Sequence, residues 1–281
     1  MLFTRIPTLR RLAKNQLALV ALVVVLGYAL IAVLAYTNVI GSSWDQAIGG
    51  SYEPPSSQHW FGTDIFGRSV AAKVIKSTES AMSVGFVVST LAIVIGVTLG
   101  ALSGYFRGIT DELITWLYST LAAIPDIILL IALAFVLGKG ILSVYIALGI
   151  TSWLGLYRLI RGEVIRHKNR EYIQAATAIG ASNARKLLFH IIPNTFHIVI
   201  IEFSSIFQSA IKSEVILSYL GLGVQNRPSW GIMINDAKVE LVRSVWWQLT
   251  FATLAMFLII LALNILSDAL RDVLDPKLKG Q

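Results

Sequence analysis

Polar side chains recur along one side of an apolar stretch near residues 196–216. Spacings of three and four residues place them on one face of a helix, with Gln208 beside them: Glu202, Ser205, Ser209 and Lys212. Ionisable groups inside an apolar helix usually face a protein interior or a water-filled cavity. This face could line a hydrophilic path suited to backbone amides and a zwitterionic ligand. It could equally form helix–helix hydrogen bonds, or place Glu202 and Lys212 near the two ends of a span.

A second apolar stretch is interrupted by Pro125 and Asp126. The proline predicts a kink in any helix formed there, because its ring cannot fit a regular helical turn. The acidic side chain could line the same path or pair with a charge on another helix. Both roles remain open for Asp126.

Several other chemistries find no support in the sequence. There is no cysteine, so disulfides, iron–sulfur clusters and thiolate zinc sites are excluded. The glycine-rich loop that binds nucleotide phosphates is absent, and the four histidines do not have metal-ligand spacing: His59, His167, His190 and His197. A membrane-embedded enzyme would need a nucleophile–base pair or a metal, and neither stands out.

The composition indicates which elements position these residues. The chain is 56% hydrophobic and 14% charged, whereas soluble domains are about 45–50% apolar. Apolar runs of roughly twenty residues recur, the length that crosses a bilayer core. We predict an all-α integral membrane protein with six transmembrane helices, near residues 17–37, 81–104, 113–136, 141–160, 196–216 and 247–267.

The distribution of positive charge predicts the orientation. If the N-terminus is cytoplasmic, fifteen of the 23 Lys and Arg residues lie on the cytoplasmic side, as the positive-inside rule requires. We therefore expect cytoplasmic N- and C-termini, and interpret the +7 charge as membrane orientation rather than nucleic-acid binding. The first apolar run exceeds the roughly 7–15 residues of a signal peptide core, so we expect a retained anchor.

These spans divide the chain into four parts. Residues 1–40 form a cytoplasmic N-terminus and a peripheral first helix, and residues 41–80 form a periplasmic segment. A core of five spans covers residues 81–268, and residues 269–281 form a cytoplasmic tail.

A polar, basic stretch from Glu171 to Asn194 separates two of the spans. Spacings of three and four predict a helix from Glu171 to Ile179, with Tyr172, Ala175, Ala176 and Ile179 on one face. Gly180 would end it in a turn, since glycine tolerates positive φ. Ser182 or Asn183 would cap a second helix, Ala184 to His190, which Pro193 would end.

This stretch resembles the "EAA" loop of ABC importer permeases, in which the same spacing forms the coupling helix. Ala175, Ala176, Gly180 and Pro193 match, whereas Gln174, His190 and Ile192 depart from the family pattern. The alternative is a plain amphipathic helix at the membrane surface. The resemblance assigns contact with an ATPase to Glu171, Tyr172, Gln174, Ala175, Ala176, Gly180, Ala181, Ser182, Arg185 and Pro193.

Three further segments resemble the oligopeptide, dipeptide and nickel branch of this family. They are His59 to Arg68, Glu214 to Gly231, and Leu270 to Pro276. The glycines allow turns, Asp64 could cap a following helix, and Trp60 and Phe61 suit an interface. The resemblance places these residues on the periplasmic side: Trp60, Phe61, Gly62, Thr63, Asp64, Gly67, Arg68, Gly221, Gly223, Trp230 and Gly231.

Together the matches imply the type I ABC importer permease fold and a C-type permease subunit in the cell inner membrane. The implied partners are a homologous permease forming a heterodimer, two cytoplasmic ATPases that bind ATP and Mg²⁺, a periplasmic or lipid-anchored substrate-binding protein, and membrane lipid. The chain itself would need no cofactor and no metal. The implied substrates are di- or oligopeptides, with nickel or another small solute as the alternative. A secondary transporter would be the alternative of another class.

Overall fold

The computed structural model describes residues 15–274, and within them the all-α prediction is confirmed. The same residues also contain two isolated antiparallel β-bridges, Ala47–Arg68 and Thr63–Ser69. The helices are α1 Gln16–Tyr36, α2 Val70–Phe106, α3 Gly108–Ala122, α4 Asp126–Leu137, α5 Ile141–Lys168, α6 Glu171–Ala178, α7 Asn183–Tyr219, α8 Trp230–Leu241 and α9 Trp247–Leu274.

Five helices are long and apolar enough to cross a membrane, namely α1, α2, α5, α7 and α9. The sixth predicted span, 113–136, is not one continuous helix. It consists of α3 and α4, which meet at an angle of 92°. Pro125 accounts for the break, because it has no N–H to donate and cannot continue the α3 ladder. Six spans result only if this bent pair crosses the membrane as one.

The boundary predicted at residue 80 is wrong. Helix α2 begins at Val70, where the Ser69 hydroxyl accepts a hydrogen bond from the Ala72 N–H at 3.2 Å. Lys73, Lys76 and Glu79 gave the first turns a polar pattern that concealed the helix. All three side chains are buried and paired in the structure, so the first turns of α2 belong to the core.

Helix α2 lies at the centre and packs along α5 and α7. Helix α1 is peripheral, because only three of its residues are buried, namely Ala18, Ala21 and Ala35. It packs on α2 and α9, and the Tyr28 hydroxyl donates to the Ala255 carbonyl at 2.8 Å. The positive charges predicted to precede it, from Arg5 to Lys14, lie outside the described residues.

Small residues let α2 and α5 approach closely. Gly96, Gly100 and Gly104 recur every four residues along one side of α2. A Cβ on Gly100 would lie 2.8 Å from the Tyr157 carbonyl, and one on Gly104 would lie 2.8 Å from the Arg161 carbonyl. Close backbone packing of this kind is typical of helix pairs in membranes, and it makes α2 and α5 a tight pair.

The connecting segments collect at two opposite ends of the helical body. Residues 37–69, 138–140 and 220–246 form the long-loop end, where the Gly140 N–H donates to the Gly223 carbonyl. Residues 107 and 169–182 form the α6 end, where Lys168 donates to the Tyr105 carbonyl. Successive predicted spans cross the membrane in opposite directions, so their loops should alternate between two ends, as they do here.

Candidate coupling segment and polar cavity

Helix α6, Glu171–Ala178, confirms the first predicted helix of the coupling segment. It ends in the predicted glycine turn. The Gly180 φ is +80°, and the Ala181 N–H donates to the Ala176 carbonyl at 2.9 Å. A Cβ on Gly180 would meet no atom within 4 Å. The backbone conformation, rather than crowding within the chain, therefore favours glycine here.

The two sides of α6 differ in what they contact. Ile173 and Ala176 are buried against the body of the protein. Tyr172, Ala175 and Ile179 point outward, and Ile179 is 85% exposed. Three of the four residues of the predicted face therefore form an exposed apolar surface, while Ala176 lies beneath it.

The second predicted helix of the segment is not short. Ser182 caps α7, since its hydroxyl accepts from the Arg185 N–H, and α7 then continues beyond Pro193 to Tyr219. The prediction that Pro193 ends a helix is therefore wrong. A π-helical turn, Lys186–Ile191, ends two residues before the proline, and its wider geometry accommodates the missing N–H and the proline ring.

The start of α7 adds further exposed apolar surface to the α6 end. Leu188 is 55% exposed and Phe189 is 72% exposed. They line a shallow depression of about 530 Å³ together with Ser182, Ala184, Arg185 and His190. Two of the predicted contact residues, Ser182 and Arg185, therefore border this depression, and Glu171 and Gln174 are exposed on α6.

A polar cavity of about 350 Å³ lies between α4, α5 and α7. Four of the six residues predicted to line a path border it, namely Asp126, Glu202, Ser205 and Ser209. The other two do not: Gln208 is buried elsewhere and Lys212 is exposed outside the lining. The cavity continues along α7 past this position to Ser213 and Ile216, so Lys212 is not part of the lining although its helical spacing predicted it there.

Sequence patterns did not predict the contribution of α5 to this cavity. Thr151 and Ser152 border it, as does Ser213 from α7. The first two lie where α5 is interrupted between Thr151 and Leu154. Two carboxylates and several hydroxyls thus face the cavity, and its lining contains no basic side chain.

At the long-loop end, the segment from Trp60 to Arg68 is mostly folded against the protein. The Phe61 ring stacks on Phe251, with centroids 3.9 Å apart, while Trp60 is 77% exposed. Gly62 has φ +75°, and a Cβ there would lie 2.7 Å from the Glu53 carbonyl. Thr63 is fully buried and donates to the Gly50 carbonyl.

Asp64 does not cap α2, contrary to the sequence-based expectation, because Ser69 does so. Asp64 instead accepts from the N–H groups of Phe66 and Arg68, each at 2.9 Å. Its carboxylate also forms ion pairs with Arg68 at 2.7 Å and Lys73 at 3.1 Å. Burial disfavours its charged form, but Lys73 and Arg68 outweigh burial and hold the pKa of Asp64 below its usual value.

The segment from Gly221 to Gly231 is also largely internal. Gly221 has φ +76°, and Gly223 and Gly231 pack so closely on Ser218 and Val215 that a Cβ would collide with them. Trp230 is fully buried and packs edge-on against Tyr28, with centroids 6.3 Å apart. The predicted periplasmic residues therefore mainly build the long-loop end. In the third family segment, α9 extends to Leu274, and Asp275 and Pro276 lie outside the described residues.

Comparison with known proteins identifies the family. A family model described as "Binding-protein-dependent transport system inner membrane component" matches residues 96–280. The chain is 35% identical over 272 residues to the dipeptide transport system permease protein DppC of Alkalihalophilus pseudofirmus, covering 96% of this chain and 89% of that protein.

Two other relatives support the same assignment. The chain is 35% identical over 270 residues to the oligopeptide transport system permease protein OppC of Bacillus subtilis, covering 96% and 88% of the two chains. It is 38% identical over 229 residues to the glutathione transport system permease protein GsiD of Pectobacterium atrosepticum, covering 81% and 76%. These matches, the membrane-length helices and the α6 segment show that the chain belongs to the multi-pass inner-membrane permease family of binding-protein-dependent ABC transport systems.

Proposed function

We propose that this chain is one of two homologous permease subunits of an ABC importer that carries peptides across the cell inner membrane. The peptide substrate is supported by the names of its relatives, which transport dipeptides, oligopeptides and glutathione. In this proposal both termini and the α6 end lie in the cytoplasm, and the long-loop end lies in the periplasm.

The exposed apolar face of α6 is the observation that carries the proposal. Tyr172, Ala175 and Ile179 would be costly to leave in water, and they lie at the end of the body where basic residues such as Arg170 and Arg185 concentrate. A groove on a cytoplasmic ATPase would cover this face. The ATPase subunits would bind ATP and Mg²⁺, and this chain would receive the resulting movement.

The number of coupling segments favours a pair of permeases. The chain contributes one α6 and would therefore engage one ATPase, so two ATPases require a second permease with its own coupling helix. The polar cavity supports the same arrangement. Its volume of about 350 Å³ is at the small end of the roughly 300–1,000 Å³ found for ligand pockets, and a second subunit would supply the facing wall.

The polar lining of the cavity suits a peptide. Ser205, Ser209 and Ser213 can hydrogen-bond peptide amides, while Asp126 and Glu202 can accept from a terminal ammonium group. At the opposite end, the exposed side chains of Trp60 and Phe66 would help dock a periplasmic or lipid-anchored substrate-binding protein.

Reconstitution tests the proposal. This chain, its partner permease, both ATPases and the binding protein are incorporated into liposomes, and ATP-dependent uptake of labelled peptides is measured. We expect uptake and binding-protein-stimulated ATP hydrolysis only in the complete mixture. Uptake without the partner permease would exclude the heterodimer, and uptake driven by an ion gradient without the ATPases would overturn the importer mechanism.

A further inference from the structure

Tyr105, in the last turn of α2, contacts both flanks of the coupling segment. Its carbonyl accepts from the Lys168 ammonium at 2.6 Å, and its hydroxyl donates to Asn183 Oδ1 at 2.9 Å. Lys168 is the last residue of α5 and Asn183 is the first residue of α7, so the two contacts enclose α6 and its glycine turn.

We propose that Tyr105 is a positioning residue that makes α6 move together with the α2–α5 pair, so that displacement at the ATPase interface reaches the polar cavity. This inference rests on the proposed function of α6 and adds the route by which its movement is transmitted. Tyr105 itself is only 4% exposed, so it acts through Lys168 and Asn183 and not by touching the ATPase.

Both contacts of Tyr105 are partly buried. The Lys168 ammonium also lies 5.1 Å from the centre of the Tyr105 ring, within the range of a cation–π interaction. Lys168 is thereby held by the carbonyl and the ring of one residue. Charge-assisted hydrogen bonds of this kind are stronger than neutral ones, and they fix the direction in which the chain leaves α5.

Next to Tyr105, a polar network joins α2, α3 and α5 near the α6 end. The Arg161 guanidinium donates to both oxygens of Asp111, at 2.7 and 2.8 Å. Ser103, two residues before Tyr105, donates to the same carboxylate, and its hydroxyl lies 3.0 Å from that of Tyr157. With the glycine packing of α2 on α5, this network leaves little freedom for the two helices to move separately.

The α2–α5 pair leads directly to the cavity. Residues from the middle of α5 border it, including Thr151, Ser152 and Gly155. The interruption of α5 next to Ser152 and the 92° bend between α3 and α4 are the places where the backbone can yield. Movement of the half of α5 that leads to α6, Leu154–Lys168, would therefore change the shape of the cavity wall and would not shift the whole subunit.

The test compares Tyr105→Phe, Asn183→Ala and the double variant in the complete reconstituted importer. The measured quantity is the number of ATP molecules hydrolysed per peptide transported. Tyr105→Phe removes only the hydroxyl that contacts Asn183. We expect each single variant to raise the ratio about fivefold, the effect of losing one net hydrogen bond. The ratio in the double variant should be no higher than in either single variant, since all three variants lack the same hydrogen bond.

Tyr145→Phe is the matched control. Its hydroxyl also donates to a side chain, Ser83 Oγ at 3.0 Å, but far from α6, so the ratio should stay at the wild-type value. An unchanged ratio in Tyr105→Phe, or a double effect equal to the product of the single effects, would overturn the inference.

Two further outcomes are informative. If the ATPases no longer co-purify with Tyr105→Phe, the test rests on Asn183→Ala alone. A wild-type ratio of ATP hydrolysed to peptide transported in Asn183→Ala would then overturn the inference. If the wild-type complex shows no binding-protein-dependent uptake, the proposed function itself fails. The two failures are therefore distinguishable.

Discussion

The Lys73 ammonium lies 3.1 Å from the Asp64 carboxylate and 2.8 Å from Gln248 Oε1, inside the long-loop end. Asp64 lies in the segment just before α2 and Lys73 in the first turn of α2, whereas Gln248 comes from the first turn of α9, 175 residues further along the chain. Lys73 is 3% exposed and Asp64 is 1% exposed. The contact therefore fixes the loop from residue 59 to residue 68 onto the membrane helices.

We expect Lys73→Met to destabilise the protein by about 3 kcal/mol, because it leaves Asp64 buried without one of its partners. Thermal unfolding of the purified chain in detergent measures the effect. Lys139→Met is the control, since Lys139 is exposed at the same end of the molecule and should change stability by less than about 0.5 kcal/mol. Equal stability of the two variants would show that the buried Lys73–Asp64 pair makes no net contribution to the free energy of unfolding.

The same cluster predicts a pH dependence of stability. Glu240, on α8, is 3% exposed. Burial is the main cause that raises its pKa to about 7; Lys73 and Arg68 oppose the shift, while Asp236 and Asp64 reinforce it. A carboxyl group with a raised folded pKa stabilises the folded state at low pH, and that stability is lost as the pH rises from the unfolded pKa through the folded one.

The unfolding temperature should therefore fall between about pH 5 and about pH 8. Glu240→Gln mimics the neutral form and should reduce this fall, whereas Glu112→Gln, at an exposed position on α3, should keep it. A Glu240→Gln curve parallel to the wild type would exclude Glu240 as the titrating group. Asp64 does not interfere, because its lowered pKa places its transition below this range.

Glu202 and Asp126 should contribute to substrate passage. Replacing either carboxylate by its amide, Glu202→Gln or Asp126→Asn, should raise the KM for peptide uptake about tenfold, the effect of losing a charge-assisted hydrogen bond. Lys212→Gln is the control, because Lys212 lies on the same helix but outside the cavity. A KM that changes in Lys212→Gln and not in the other two would place the path elsewhere.

Gly180→Asp should insert and pair normally but lose ATPase co-purification. The φ of +80° costs an ordinary side chain about 1 kcal/mol, and aspartate tolerates this conformation better than alanine does. A larger loss in Gly180→Asp than in Gly180→Ala would therefore report obstruction of the partner surface and not backbone strain. Gln174→Glu, which restores the family residue at an exposed position, should transport normally. Normal uptake by Gly180→Asp would contradict a coupling role.

The orientation can be measured by cysteine labelling, because the chain has no cysteine of its own. Ser57→Cys and Ser244→Cys, both exposed at the long-loop end, should react with an impermeant maleimide added from the periplasmic side. Ala178→Cys, exposed on α6, should react only in inverted vesicles. The reverse pattern would invert the topology. Ser229 is unsuitable as a probe because it is fully buried.

Local patterns in the sequence were sufficient for much of the architecture. Apolar runs located the membrane-length helices, and their limits erred mainly where polar residues extend a helix, as at Val70. The α6 helix and the positive φ of Gly180 were also predictable. These features depend on hydropathy, on helical periodicity and on the absence of a Cβ, which neighbouring residues determine among themselves.

The tertiary structure decided which polar groups are buried and what they contact. Lys73 and Tyr105 stand in sequence contexts that do not distinguish them, yet each joins segments far apart along the chain. The exclusion of Lys212 from the cavity and the continuation of α7 through Pro193 were equally unpredictable. The physical reason is that a charge or a strained turn is tolerated only when distant residues pair with it or pack around it, and only the folded chain brings those residues together.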